Sequence, residues 1–240
     1  MSDCSVKDNE NLIEFWSSAF ELSEEEKEEQ KKADAESWKE LAPSQKLFSA
    51  AQSLGCRSRV LDYGCGNAWA GIIAAKSGCH DITAVDPAKG AIETARFCVE
   101  LYGTEEQITF HCAGLDWLLS VPSDTFDGVI CSNVLDVVPE ETAGKIIAEL
   151  ARIAAPNASV IIGLNFYLSP DEAKERERTL ENGKMLYIDG VLRLVSRNDE
   201  EWKELFSRFF TVEKLEHFAW EGESVERRRL FYLKKSCCIE

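Results

Sequence analysis

The stretch Val60-Leu61-Asp62-Tyr63-Gly64-Cys65-Gly66-Asn67-Ala68-Trp69 sets a carboxylate directly before a Gly-x-Gly turn, where a β-rich run gives way to a helix. Glycines at such a turn let a ligand approach the backbone, and the free N–H groups at the helix start face it. A second carboxylate, Asp86, ends the next strand-like run 86 − 62 = 24 residues further on. From that location an acid accepts both hydroxyls of a ribose. Asp62, Gly64, Cys65, Gly66, Asp86 and the adjoining Pro87 are therefore the candidate residues for an adenosine-containing cofactor.

A nicotinamide dinucleotide site is the rival reading. It needs Gly-x-Gly-x-x-Gly with the helix dipole on the pyrophosphate, and counting from Gly64 puts Trp69 where the third small residue must sit. An indole there blocks helix–strand packing. A carboxylate at Asp62 is poorly placed beside phosphates. The spacing thus opposes an NAD(P)-dependent oxidoreductase. No metal is expected either: the nine cysteines contain no C-x-x-C pair, and His80, His111 and His217 are scattered. Cys98, Cys112 and Cys131 read as small buried hydrophobes, and Cys237-Cys238 are adjacent and cannot both ligate one ion comfortably.

The elements that must carry these residues alternate from Arg59 onward as strand, turn and helix. Strands are expected at 59–63, 82–85, 108–112, 128–132 and 159–166, with helices at 68–77, 88–102 and 139–154. Such alternation predicts an α/β fold with a mostly parallel sheet covered on both faces. Asp189-Gly190, between Met185–Ile188 and Val191–Val195, predicts a hairpin. Asn198 predicts a capped helix, and 210–220 with 228–234 predict a terminal antiparallel pair. Upstream, Leu12, Phe15, Trp16 and Ala19 form a helical stripe. Ser23 with Glu26 predicts a capping box opening a polar helix that runs to Glu40, and Ser44 caps another helix closed by Gly55.

The combination VLDYGCGNAWAG, ITAVDPAKGAIETAR and FDGVICSNVLDVVP resembles the class I S-adenosylmethionine-dependent methyltransferases of the small-molecule type, across about residues 35–235. The resemblance implies a Rossmann-like methyltransferase sandwich with a terminal antiparallel strand pair and S-adenosyl-L-methionine as cofactor. It implies that Asp62 holds the cofactor's amino end, that Gly64 to Gly66 pass under its methionine and ribose, and that Asp86 grips the ribose hydroxyls. Ala68 departs from the family's usual third glycine. Asp116, with Leu115 and Trp117 beside it, is implied at the adenine; otherwise Asp116 caps a short helix and Trp117 is core. Ser132 and Asn133 would lie beside the cofactor methyl and lack the Asn-Pro-Pro-Tyr signature of amine methylation on nucleobases and peptide glutamine. Asp136 is the candidate catalytic base or acceptor-orienting group, or else a cap for the helix after Pro139. Trp38 either closes over the cofactor or packs within the N-terminal cap. Tyr167 and Tyr187, with Asn133, are the substrate-side candidates, core packing being the alternative for the tyrosines.

Organisation and composition complete the reading. The expected units are an N-terminal helical cap or lid over 1–54, a cofactor-binding domain over 55–235 with a hairpin insertion at 169–196, and a short tail at 236–240. The formal charge of −16, with 13 − 5 = 8 of it in residues 1–40, opposes a nucleic-acid partner, whose binding rests on Lys and Arg. No apolar run is long enough for a membrane span, and nine cysteines without a secretory signal predict a cytoplasmic chain with reduced thiols. The function expected is methyl transfer from S-adenosylmethionine to a small-molecule acceptor by in-line displacement. The alternatives are a cofactor-binding regulator without catalysis and a methyltransferase acting on a protein.

Overall fold

The computed structural model describes residues 3–34 and 36–235. A seven-stranded sheet runs in the order β3-β2-β1-β4-β5-β10-β9. Its parallel part is β1 (Val60–Tyr63), β2 (Ile82–Asp86), β3 (Ile108–Cys112), β4 (Phe126–Ser132) and β5 (Ala154–Leu164). The antiparallel part is β9 (Phe210–Phe218) and β10 (Arg228–Lys235), with β10 paired to β5.

Strand alternation sends neighbouring residues to opposite cores. Val60, Ile82, Ile130, Ile161 and Leu230 face a core shared with α3 (Gln45–Ser53), α4 (Trp69–Lys76) and α5 (Lys89–Tyr102). Leu61, Val129, Val160, Ile162 and Phe231 face the other, closed by α6 (Leu115–Ser120), α7 (Glu140–Ile153) and α9 (Asp199–Ser207). Both faces of the sheet are therefore covered. A second sheet is formed by β6 (Leu180–Glu181), β7 (Met185–Ile188) and β8 (Val191–Val195), after the short α8 (Pro170–Glu175). Its turn residues Asp189 and Gly190 both take positive φ, 53° and 77°, as an Asp-Gly hairpin requires.

The N-terminal part departs from expectation in one place. On α1 (Asp3–Phe20) Leu12 of the expected stripe is buried and Phe15 and Trp16 are half-buried, while Ala19 is exposed, and Ser23 with Glu26 makes the full capping box of α2 (Glu24–Gln30). That helix does not reach Glu40: it ends at Gln30, and only a 3-10 turn over Ser37–Glu40 follows. α2 buries no residue, so tertiary packing does not prolong it. Downstream, Asp34 offers a local alternative, its carboxylate accepting the Glu36 N–H at 2.7 Å and its carbonyl accepting the Ser37 hydroxyl at 2.7 Å. Cys112 is likewise corrected: Cys98 and Cys131 are buried, but Cys112 ends the edge strand β3 and is exposed. The tail 236–240, with Cys237 and Cys238, lies outside the described residues. Among those described, no helix is long and apolar enough to cross a membrane.

Candidate active site

The loop after β1 is pinned to the neighbouring strand, Gly64 and Cys65 both donating N–H to the Val85 carbonyl at 2.7 and 3.1 Å. Gly64 and Gly66 take φ of 69° and 54°. A Cβ on Gly64 would stand 2.1 Å from Val134 Cγ2, and one on Gly66 2.8 Å from Phe20 Cζ. Glycine is needed at both for conformation and for space. Ala68 keeps a left-handed conformation (φ 61°) as the cap of α4, although it carries a Cβ.

Asp86 reaches across from the end of β2, its carboxylate accepting the Gly66 N–H at 3.1 Å and the Ala88 N–H at 2.9 Å. It is 8% exposed. Burial pushes its carboxyl above the usual range, and the two backbone N–H groups pull it back. Asp62 lies deeper, 4% exposed, accepting the Gly71 N–H at 2.9 Å from the first turns of α4. Burial raises its carboxyl to about 7, against that hydrogen bond and with a further push from Asp86.

These loops form one end of a cavity of about 380 Å³, within the size range of small-molecule sites. Of the expected residues, Gly64, Cys65, Gly66, Asp86, Pro87, Ser132 and Asn133 line it. The opposite wall comes from α1 (Leu12, Ile13, Trp16, Phe20) and from Val134, Val137 and Val138 after β4, with Trp220 after β9. The α1 residues had a legible signal, since Leu12, Trp16 and Phe20 recur every four residues. Trp220 had none. Three buried polar atoms of lining residues lack a protein partner: Trp16 Nε1, Trp220 Nε1 and Asn133 Oδ1. Asn133 also holds a left-handed backbone, φ 57°. Unsatisfied groups and strain of this kind concentrate where a ligand binds.

Other expected residues stand elsewhere. Trp38 is absent from the cavity wall and stacks on Phe48 with ring centroids 6.0 Å apart, so it packs the N-terminal segment against the core. Asp116 turns back on its own helix, accepting the Gly114 N–H at 3.2 Å, and Trp117 packs between His111 and Phe126 at 5.0 and 6.5 Å. Tyr187 lies on β7, outside the wall. Tyr167 lines a second, open cleft of about 670 Å³ with Asp199, His217, Arg227 and Arg229. The side chains there are tied in pairs, Asp199 to His217 at 2.9 Å and Arg227 to Glu172 at 2.6 Å.

Asp136 requires the largest correction. It has no exposed surface, and a carboxylate sealed in this way cannot meet an acceptor. Its oxygens accept the Asn165 backbone N–H at 2.6 Å and the Asn165 side-chain amide at 3.4 Å, while its own carbonyl accepts the Val195 N–H at 2.7 Å. Nor does it cap α7, whose first residues have no side-chain cap. Burial raises its carboxyl to about 6, opposed by the Asn165 bonds and by Arg229. Asn165 is held in turn by Arg228, which donates to its Oδ1 at 2.6 Å, pairs with Glu223 and lies 3.3 Å from the centre of the Trp220 ring. Asp136 thus ties the loop after β4 to the end of β5 and to β8.

The site can be set beside known proteins. Residues 60–157 match the family described as "Methyltransferase domain". A ubiquinone biosynthesis O-methyltransferase of Neisseria meningitidis is 26% identical over 152 residues, covering 62% of this chain and 58% of the relative. One from Xanthomonas oryzae pv. oryzae is 32% identical over 142 residues, covering 56% of each. The chain thus spans under three fifths of the length of these curated relatives. The solved 1,6-didemethyltoxoflavin-N1-methyltransferase of Burkholderia thailandensis, which holds S-adenosylhomocysteine, superposes with a TM-score of 0.63 at 16% identity over 84% of this chain and 82% of that one. That likeness is one of fold. The family match over residues 60–157, the sheet order and the glycine turn facing Asp86 agree: this stretch is similar to a methyltransferase domain, and the chain has the fold of the solved methyltransferases.

Proposed function

We propose that this chain binds S-adenosylmethionine in the cavity between the β1 and β2 loops and methylates a small, largely apolar molecule through a hydroxyl or amine. The observation that carries the reading is the meeting of Gly64, Gly66 and Asp86 at one end of a largely apolar cavity. The residues present fit the cofactor. Backbone without Cβ lines the cradle, a carboxylate stands at the ribose position, and the indole donors of Trp16 and Trp220 have no protein partner. Asp86 would take the ribose hydroxyls, and the Gly64 to Gly66 backbone would lie against the chain of the cofactor. When bound, S-adenosylmethionine supplies a methyl group on a sulfonium, activated for in-line displacement.

The chain's own contribution is positioning and exclusion of water. α1 walls the cavity with Leu12, Ile13, Trp16 and Phe20, which keeps solvent from the reacting atoms. Asn133, on the cavity wall, would orient the acceptor. With Asp136 sealed behind Asn165, Asp86 is the only carboxylate on the cavity wall among the described residues, and the reading invokes no dedicated side-chain base. The curated relatives are named for O-methylation and the Burkholderia enzyme for N-methylation; a small-molecule acceptor is common to both.

Calorimetric titration tests the reading. S-adenosylhomocysteine should bind with micromolar affinity, on the order of −8 kcal/mol, and NAD and NADP should give no heat. Heat with a nicotinamide dinucleotide and none with S-adenosylhomocysteine would overturn it.

A further inference from the structure

α1 bridges the mouth of the cavity between two anchors far apart in the chain. On one side it rests on the start of α5. Ser17 Oγ accepts the Gly90 N–H at 2.8 Å, the Phe20 carbonyl accepts the Thr94 hydroxyl at 2.7 Å, and the Ser17 carbonyl lies where a Cβ on Gly90 would be 2.1 Å away. On the other side it meets β8, whose buried Leu192 and Leu194 flank Arg193 in sequence. The Arg193 guanidinium stands 4.1 Å from the centre of the Phe15 ring and 5.7 Å from that of Trp16. From there an aromatic series continues inward, Phe15 to Trp16 at 5.1 Å and Trp16 to Phe20 at 6.0 Å. The series ends on Gly66, against which the Phe20 ring packs.

That last contact conflicts with the cradle's use. A single added carbon on Gly66 would stand 2.8 Å from Phe20, so no ligand atom fits between the ring and the glycine. A ligand lying against Gly66 and Phe20 in its present place exclude each other.

We propose that α1 is an access gate, with Phe20 as the stopper over Gly66 and Arg193 of the inserted hairpin as the latch that holds the gate shut. The inference rests on the cofactor reading above and adds how ligand enters and leaves the cradle. The cofactor reaches Gly66 when α1 lifts, and α1 closes again with Phe20 moved aside. The latch contact lies away from the cradle and is made whether or not the cradle is filled. Weakening it therefore favours the open form equally before and after binding, and moves both rate constants rather than their ratio. Phe20 differs, since its contact with Gly66 is lost only when ligand is present.

Stopped-flow tryptophan fluorescence with S-adenosylhomocysteine, on the full chain and on Arg193→Gln and Phe20→Ala, separates the two roles. Arg193→Gln should speed association and dissociation together, roughly 3- to 10-fold, the worth of a cation–π contact of this kind, with Kd changed less than about twofold. Phe20→Ala should speed association without weakening Kd. Amide hydrogen exchange of residues 12–20 without ligand gives a second reading of the same gate, and Arg193→Gln should raise exchange there by the same factor. Unchanged rates and unchanged exchange in Arg193→Gln would overturn the latch, and slower association in Phe20→Ala would overturn the stopper. If calorimetry gives no heat with S-adenosylhomocysteine, the cofactor reading falls by itself, and the gate stands or falls on the exchange of α1.

Discussion

The cradle end of the cavity is made by two loops of adjacent parallel strands, residues 64–69 and 86–88, whereas the facing wall gathers Leu12, Val138 and Trp220 from across the chain. In the cradle, backbone does the work: positive φ at Gly64 and Gly66 and hydrogen bonds to Val85 and Asp86 set the shape within a few residues. In the facing wall, side chains do it, and they are held by long-range ties such as Arg193 on Phe15 and Asp136 on Asn165. Local geometry therefore makes the cofactor end a property of a short motif. The facing wall, where the acceptor is proposed to bind, is a property of the whole assembly, free to change with the segments added around the sheet.

Two carboxylates sharpen that contrast. Asp136→Ala should cost about 1–3 kcal/mol of stability, because it leaves the Asn165 N–H unpaired and removes one of the two carboxylates near Arg229, which keeps Asp199 at 3.5 Å. Urea unfolding measures this, and the affinity of the folded variant for S-adenosylhomocysteine should change little. Asp86→Ala should do the reverse. Losing two charge-assisted bonds to ribose hydroxyls, worth roughly 1.5–3 kcal/mol each, weakens the ligand by about two orders of magnitude or more. Comparable loss of affinity in both variants would show that the loop after β4 belongs to the cofactor end.

Asp62, which lies behind the glycine turn and is not on the cavity wall, offers a pH test of the support of that turn. Its folded-state value of about 7 lies above the ordinary one, so the folded form holds a proton that the unfolded chain releases from about pH 4 upward. Its contribution to stability is complete at acid pH and is lost as pH rises to 7. Asp62→Asn keeps an acceptor for the Gly71 N–H without the charge. The stability of the variant relative to the wild type should therefore rise between pH 4 and 7, by on the order of a few kcal/mol. A gap independent of pH would mean that Asp62 is ionised and paired. The smallest effect is expected at Trp38: Trp38→Leu removes its stacking on Phe48 and should lower the thermal midpoint by a few degrees while leaving the affinity for S-adenosylhomocysteine unchanged within about twofold.

Legibility in the sequence follows the same division. Strands β1 to β4, the Asp189-Gly190 hairpin and the caps at Ser23, Ser44 and Asn198 are fixed by neighbours two to four residues away and their positions follow closely from pattern, whereas β5 begins at Ala154 rather than Ser159 and β6 is not among the expected strands. Asp86 and the glycine turn are legible for the same reason. Asp136 is not, because its neighbours in sequence say nothing of Asn165, 29 residues on, or of Arg229 in the last strand. Trp220 and Arg193 escape pattern reading too: one follows a strand and the other lies within a hairpin, and their roles come from packing across the fold. The polar helix through Glu40 fails because propensity without a buried face does not sustain it.

Amide hydrogen exchange on the full chain, with and without saturating S-adenosylhomocysteine, tests the central claim most directly. Protection should concentrate in residues 64–69 and 86–92, where Gly64, Gly66 and Asp86 form the cradle, with α1 changing alongside, and Asp86→Ala should abolish it at the same ligand concentration. Protection centred instead on the open cleft around Tyr167, Asp199 and Arg229, with residues 64–69 unaffected, would contradict the account.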